Sequence, residues 1–146
     1  MGYYMRYIVA DERAVTLQDV EGALVAAGAG YELDGDDNEA TIKYRGHAVG
    51  HLTFNTPGDG LFDDERDELV EFAEDGEGKG RQRVLDTLRT ARAIVAVQVL
   101  FGDGDTERTL EAIDPIWRWL HANRRGLLQA DGEGYYDANG QVLKLE

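Results

Sequence analysis

The run 94–101 (IVAVQVLF) limits what this chain can become more than any other stretch. Seven of its eight residues are apolar, and three of them are valines. β-Branched side chains at this density suit a pleated strand, and eight residues are few for a helix. Apolar groups at odd and even positions alike mean that both faces must be covered. A helix packed on one side shields one face only. The run is therefore expected as a central strand, with helices on at least one side and further strands around it. The glycines and aspartates of 102–105 (GDGD) end it with turn chemistry.

The other segments can be arranged around this strand. Residues 3–10 (YYMRYIVA) are aromatic and aliphatic apart from Arg6, and read as a first strand. Thr16 and Asp19 have the spacing of a capping box, and Leu17, Val20, Leu24 and Ala27 follow at helical intervals until Gly28 and Gly30 stop them. Tyr31 and Leu33 mark a short strand, with 34–38 as a polar turn. Ala40, Ile42 and Tyr44 alternate with polar residues, and Arg45, Gly46 and His47 form a tight turn or a bulge. In the next strand Ala48, Gly50, Leu52 and Phe54 fall on one face, and His47, Val49, His51 and Thr53 on the other. Residues 56–60 (TPGDG) close this meander.

Residues 62–73 have helical periodicity, with Phe62, Leu69, Phe72 and Ala73 assigned to the inward face. The glycines at 76, 78 and 80 form a joint, and Val84, Leu85, Leu88 and Ala91 define a second helical piece. Residues 106–123 are the longest helical pattern; Pro115 lies inside it and predicts a kink, or a new start capped by Asp114. Short strands separated by glycine turns fill residues 127–145. The order βαββ, two helical pieces, β follows the split plan of a ferredoxin-like βαββαβ sandwich, with a C-terminal helix and β-meander appended. One α+β domain over residues 1–146 is expected, because neither a repeat nor a long linker divides the chain.

Charge sets the expected partners. The formal net charge is −14, which repels nucleic-acid phosphates and anionic lipid, so neither nucleic acid nor membrane is expected as a partner. No apolar run approaches the ~20 residues of a membrane span, and the N-terminal residues lack a signal-peptide pattern, so a cytoplasmic location is expected. Two accounts fit the acidity. It keeps the surface hydrated, as a salt-rich cytoplasm would require, or it steers the chain toward a basic protein.

The residues that could carry chemistry are few. Cysteine and serine are absent, which excludes disulfides, thiolate sites and the two commonest hydroxyl or thiol nucleophiles. His47 and His51 would stand about 13 Å apart along a regular strand, too far to share one ion. The loop 131–140 (DGEGYYDANG) is rich in oxygen ligands but places Tyr135 and Tyr136 where a calcium loop needs Asp or Asn and glycine. Residues 76–80 lack a phosphate-loop pattern. Neither a cofactor nor a metal is expected.

The leading expectation is a non-catalytic protein-binding or accessory domain, of inhibitor or immunity type, that engages a basic partner. Its contact residues would be Asp63, Asp64, Glu65, Asp67 and Glu68 at a helix start, Trp119 as an aromatic anchor, and Asp131, Glu133, Tyr135 and Tyr136 in the meander. The alternative is a small enzyme or ligand-binding domain with a pocket near Asp131, Glu133, Tyr135 and Tyr136. A free sheet edge also allows a homodimer.

Overall fold

The computed structural model describes residues 3–58, 60–102 and 106–145. Its elements are β1 (Tyr3–Val9), α1 (Leu17–Ala27), β2 (Tyr31–Gly35), β3 (Glu39–Tyr44), β4 (His47–Asn55), α2 (Gly60–Glu74), α3 (Arg81–Arg89), β5 (Ala93–Val99), α4 (Thr106–Asn123), β6 (Gly126–Ala130), β7 (Gly134–Asp137) and β8 (Gly140–Lys144). This is a mixed α+β domain with eight strands in one sheet, in the order β2-β3-β4-β5-β1-β6-β7-β8. Every pairing between neighbours is antiparallel.

The valine-rich strand is central, as expected. β5 pairs with β1 on one side and β4 on the other. Its side chains divide by parity between two separate cores. Val95, Val97 and Val99 pack with Val20 and Leu24 of α1 and with Ile113, Ile116, Trp117 and Leu120 of α4. Ile94 and Ala96 pack with Phe62 and Ala73 of α2 and with Val84, Leu85 and Leu88 of α3. Helices therefore cover both faces of the sheet.

Two observations bear on the ferredoxin-like plan. The first strand does lie beside the strand that follows the helical pieces. However, β5 also stands between β1 and the β2–β4 meander, and the helices are divided between the two faces. The last helix joins α1 over one face, and β6 to β8 lengthen the sheet beyond β1.

Local chemistry explains the boundaries. The capping box forms as the spacing predicts: the Asp19 amide donates to Thr16 Oγ1 at 3.2 Å, and the Thr16 amide donates to Asp19 Oδ2 at 2.9 Å. The glycine-rich joint separates α2 from α3. Of the turn at 102–105, only Gly102, with φ 56°, lies within the described residues. Likewise Asp59, in the stretch that closes the meander, lies outside them.

Three local expectations are corrected. A β-bulge shifts the register so that Ile42 faces Gly50 while Lys43 faces Ala48. Val49 is the extra residue, and it turns into the same core as Leu52 instead of the opposite face. Gly50 suits this site because a Cβ there would come 2.8 Å from Val97 Cγ1. Second, α4 runs through Pro115 as one helix, which sets aside the new start capped by Asp114. The ring removes the N–H that would bond the Glu111 carbonyl. The next carbonyl, Ala112, accepts from the Tyr31 hydroxyl at 2.6 Å. Buried Ile113, Ile116 and Trp117 hold the helix on both sides of the proline. Third, Phe72 is 59% exposed instead of inward. At 100° per residue it lies about 80° off the direction of Phe62, and the inward face is completed by Leu69, Val70 and Ala73.

Candidate functional site

Apart from Trp119, the expected contact residues separate into four groups. The first is gathered around Arg6. Residue 6 lies opposite Ala96 on one side and Gln129 on the other, and the small alanine leaves room for its side chain. The guanidinium donates to Glu65 Oε2 at 2.6 Å, Asp131 Oδ1 at 2.8 Å and Gln129 Oε1 at 2.8 Å. Its side chain is 15% exposed, so a charge at this depth needs such partners. Asp131 also accepts from the Tyr4 amide at 3.0 Å and the Gln129 side-chain amide at 3.1 Å. Glu65 and Asp131, expected at a docking face, are thus committed to tying α2 and β6 to β1.

The second group surrounds Glu133. Its carboxylate accepts from the Tyr3 hydroxyl and, at 3.0 Å, from the Tyr136 hydroxyl. Burial, followed by the bond to Glu133, pushes the Tyr3 hydroxyl well above its usual range. Tyr136 moves the same way for the same causes. These bonds favour neutral tyrosines, and both carboxylates of the turn are already engaged as acceptors.

The third group is Tyr135 alone. It is 1% exposed, among Ile8, Phe62, Leu127 and Leu143. Among the described residues its hydroxyl has no hydrogen-bond partner, and burial pushes its titration upward, with Arg6 opposing. A ring at that depth fills the core and meets no partner surface. Trp119 is half-buried, with the Arg124 guanidinium 5.1 Å above its ring. It lies with the α1/α4 core, across the sheet from α2.

The fourth group is the outward side of α2. Asp64, Asp67 and Glu68 are exposed, and Asp63 is half-buried. The structure adds Glu71 and Asp75, also exposed, together with Leu61 at 69% and Phe72 at 59%. Residues 61, 64, 68, 71, 72 and 75 repeat at three- and four-residue intervals, so they form one stripe. Leu61 and Phe72 are about three turns apart and nearly in line. Beyond Phe72 the stripe meets an open groove of about 410 Å³, lined by Asp75, Gly76, Glu77, Lys144 and Leu145. Sequence reasoning missed Phe72 by placing it in the core. The run of carboxylates on both sides of it was the available sign.

The histidines stay apart. His47 is exposed, His51 Nε2 lies 3.7 Å from Glu39 Oε2, and His121 packs edge-on against the Tyr7 ring at 5.2 Å. Among the described residues no group of three or more His, Asp and Glu side chains is placed to hold a metal ion. No helix among them is long and apolar enough to cross a membrane. No protein-family model, curated protein or solved structure matches the chain.

Proposed function

We propose that the chain is a non-catalytic accessory domain that docks a basic, amphipathic segment of a partner protein on the outer stripe of α2. One observation supports this above the rest. Of the three large hydrophobics exposed among the described residues, Val25, Leu61 and Phe72, two stand in line on this helix between carboxylates. An apolar stripe rimmed by polar residues is one form that an interaction surface takes. Salt adaptation alone explains the carboxylates but leaves Phe72 without a reason. A segment with lysine or arginine around two apolar anchors would complement the stripe in both respects. An inhibitor or immunity-type protein is one form such a domain takes.

The alternative, an acid–base or ligand pocket at Asp131, Glu133, Tyr135 and Tyr136, has less support. Both carboxylates are already hydrogen-bonded, and one of the rings is in the core. Three further readings from the sequence stand beside the proposal: kinship of β1 to β5 with the ferredoxin-like plan, a cytoplasmic location, and self-pairing through β2 or β8, the two sheet edges.

The test is a peptide titration. An amphipathic Lys/Leu helix should bind at low salt, and its Glu/Leu counterpart should not. Binding should weaken with Phe72→Ser as well as with Glu68→Lys plus Glu71→Lys. Generic attraction to the −14 chain would ignore Phe72. Affinity unchanged by Phe72→Ser would therefore overturn the assignment to α2.

A further inference from the structure

A second concavity lies on the opposite side of the sheet from α2. It is a groove of about 920 Å³ between the first half of α4, the β3–β4 turn and the end of β5. That size accommodates a small-molecule ligand. Buried Val49 and Ala112 form its floor, and the rings of Tyr31, Tyr44 and Phe101 line it. Tyr31 and Tyr44 are neighbours across β2 and β3, with ring centroids 4.5 Å apart.

Its charge is unlike that of the rest of the chain. Among the described residues, Arg45 and Arg108 line the groove against one carboxylate, Glu111, with His47 beside them. Neither arginine makes an ion pair among the described residues. In a chain of net charge −14, two such cations in one concavity are a local reversal of sign.

Arg45 carries an independent mark. It is the one described residue other than glycine with a positive φ, 52°, and Gly46 follows at 81°. This is the two-residue hairpin turn that favours asparagine or aspartate followed by glycine. An arginine at the first position runs against local preference, and such conflicts concentrate at functional sites. The turn is held in place: the Arg45 amide donates to the Gly30 carbonyl at 2.8 Å, and its guanidinium lies 5.1 Å over the Tyr44 ring.

We propose that this groove binds a small anion carried on an aromatic ring, with the ring against Tyr31, Tyr44 and Phe101 and the anionic group between Arg45 and Arg108. Arginine pairs carboxylate and phosphate alike and also stacks on rings, so the two ligand sources share one chemistry. The site is separate from the α2 stripe and does not rest on the docking proposal.

The test is calorimetric titration of the whole chain with indole-3-carboxylate and with adenosine 5′-monophosphate, which separates the carboxylate from the phosphate source. Indole, adenosine, acetate and inorganic phosphate are the controls. At least one aromatic anion should saturate, more tightly than its neutral ring or the bare anion. Arg108→Ala and Tyr44→Ala should each weaken it by roughly three- to tenfold. Arg92→Ala, an exposed cation away from the groove, should leave it unchanged. Arg45→Asn separates function from folding: it should raise the melting temperature by relieving the turn, and still weaken binding. The proposal is overturned if neither aromatic anion saturates at low-millimolar concentration. It is overturned equally if both arginine substitutions leave affinity intact, or if neutral rings bind as well as charged ones.

Discussion

Glu65 and Glu68 stand three residues apart on α2 and do opposite things. Glu65 turns toward the sheet and meets Arg6 at 2.6 Å; Glu68 faces water in line with Leu61 and Phe72. The same division holds for the phenylalanines. Phe62 is wholly buried, and Phe72 is 59% exposed. The inner side of α2 is thus part of the fold, through one cation and one core. The outer side is exposed to water. The comparison teaches that a run such as 63–68 has no single role, because helical rotation assigns alternate members to different environments.

The sharpest way to break this contrast is to truncate the two aromatic rings. Phe62→Ala should lower unfolding stability by about 3–4 kcal/mol, while Phe72→Ala should stay within about 0.5 kcal/mol. Chemical denaturation measures both, and equal losses would mean that α2 is rotated from its described setting. Next in size is Arg6→Leu. It leaves Glu65 and Asp131 half-buried without their cation, and should cost roughly 2–3 kcal/mol, less than a fully buried pair because the carboxylates keep some water. The glutamates give the finer comparison. Glu65→Gln should cost about 1 kcal/mol and Glu68→Gln nothing measurable, with thermal melts as the readout.

The smallest effect is one of pH, and it reports on the contact between β1 and the β6–β7 turn, away from α2. In the folded chain burial and the bond to Glu133 hold the Tyr3 hydroxyl above the usual tyrosine value of 10.0, at which it titrates in the unfolded chain. Between those limits the unfolded chain has lost a proton that the folded chain keeps. The contribution is therefore complete below pH 10 and fades as pH rises through the folded value. Alkaline melts should fall in that window, and Tyr3→Phe should flatten the fall.

Much of the architecture was legible because strong local signals agreed with one another. The 94–101 run announced a strand covered on both sides, and Thr16 with Asp19 announced a helix start. What was not legible depends on rotation or on pairing between distant segments. Phe72 looks like core by periodicity, and only the packed setting of α2 shows that Leu69, Val70 and Ala73 already complete the inward face. Val49 changes faces because of a bulge that alternation cannot signal. Pro115 stays within one helix because flanking core residues hold both halves. Among the site residues, the exposure of Asp64, Asp67 and Glu68 followed from charge alone. The engagement of Asp131 with Glu65 did not, since residues 6, 65 and 131 meet only after the sheet forms. The one sign was Arg6 itself, a lone cation in an apolar strand.

The parity of β5 has a consequence for how the molecule comes apart. Because alternate side chains of one strand serve both hydrophobic layers, neither layer can loosen while the other stays intact. Amide protons of Val95 and Val97 should be among the last to exchange with deuterated solvent, released only when the whole sheet opens. A cavity cut on the α3 side, as by Leu88→Ala, should then shorten protection on the α4 side as well.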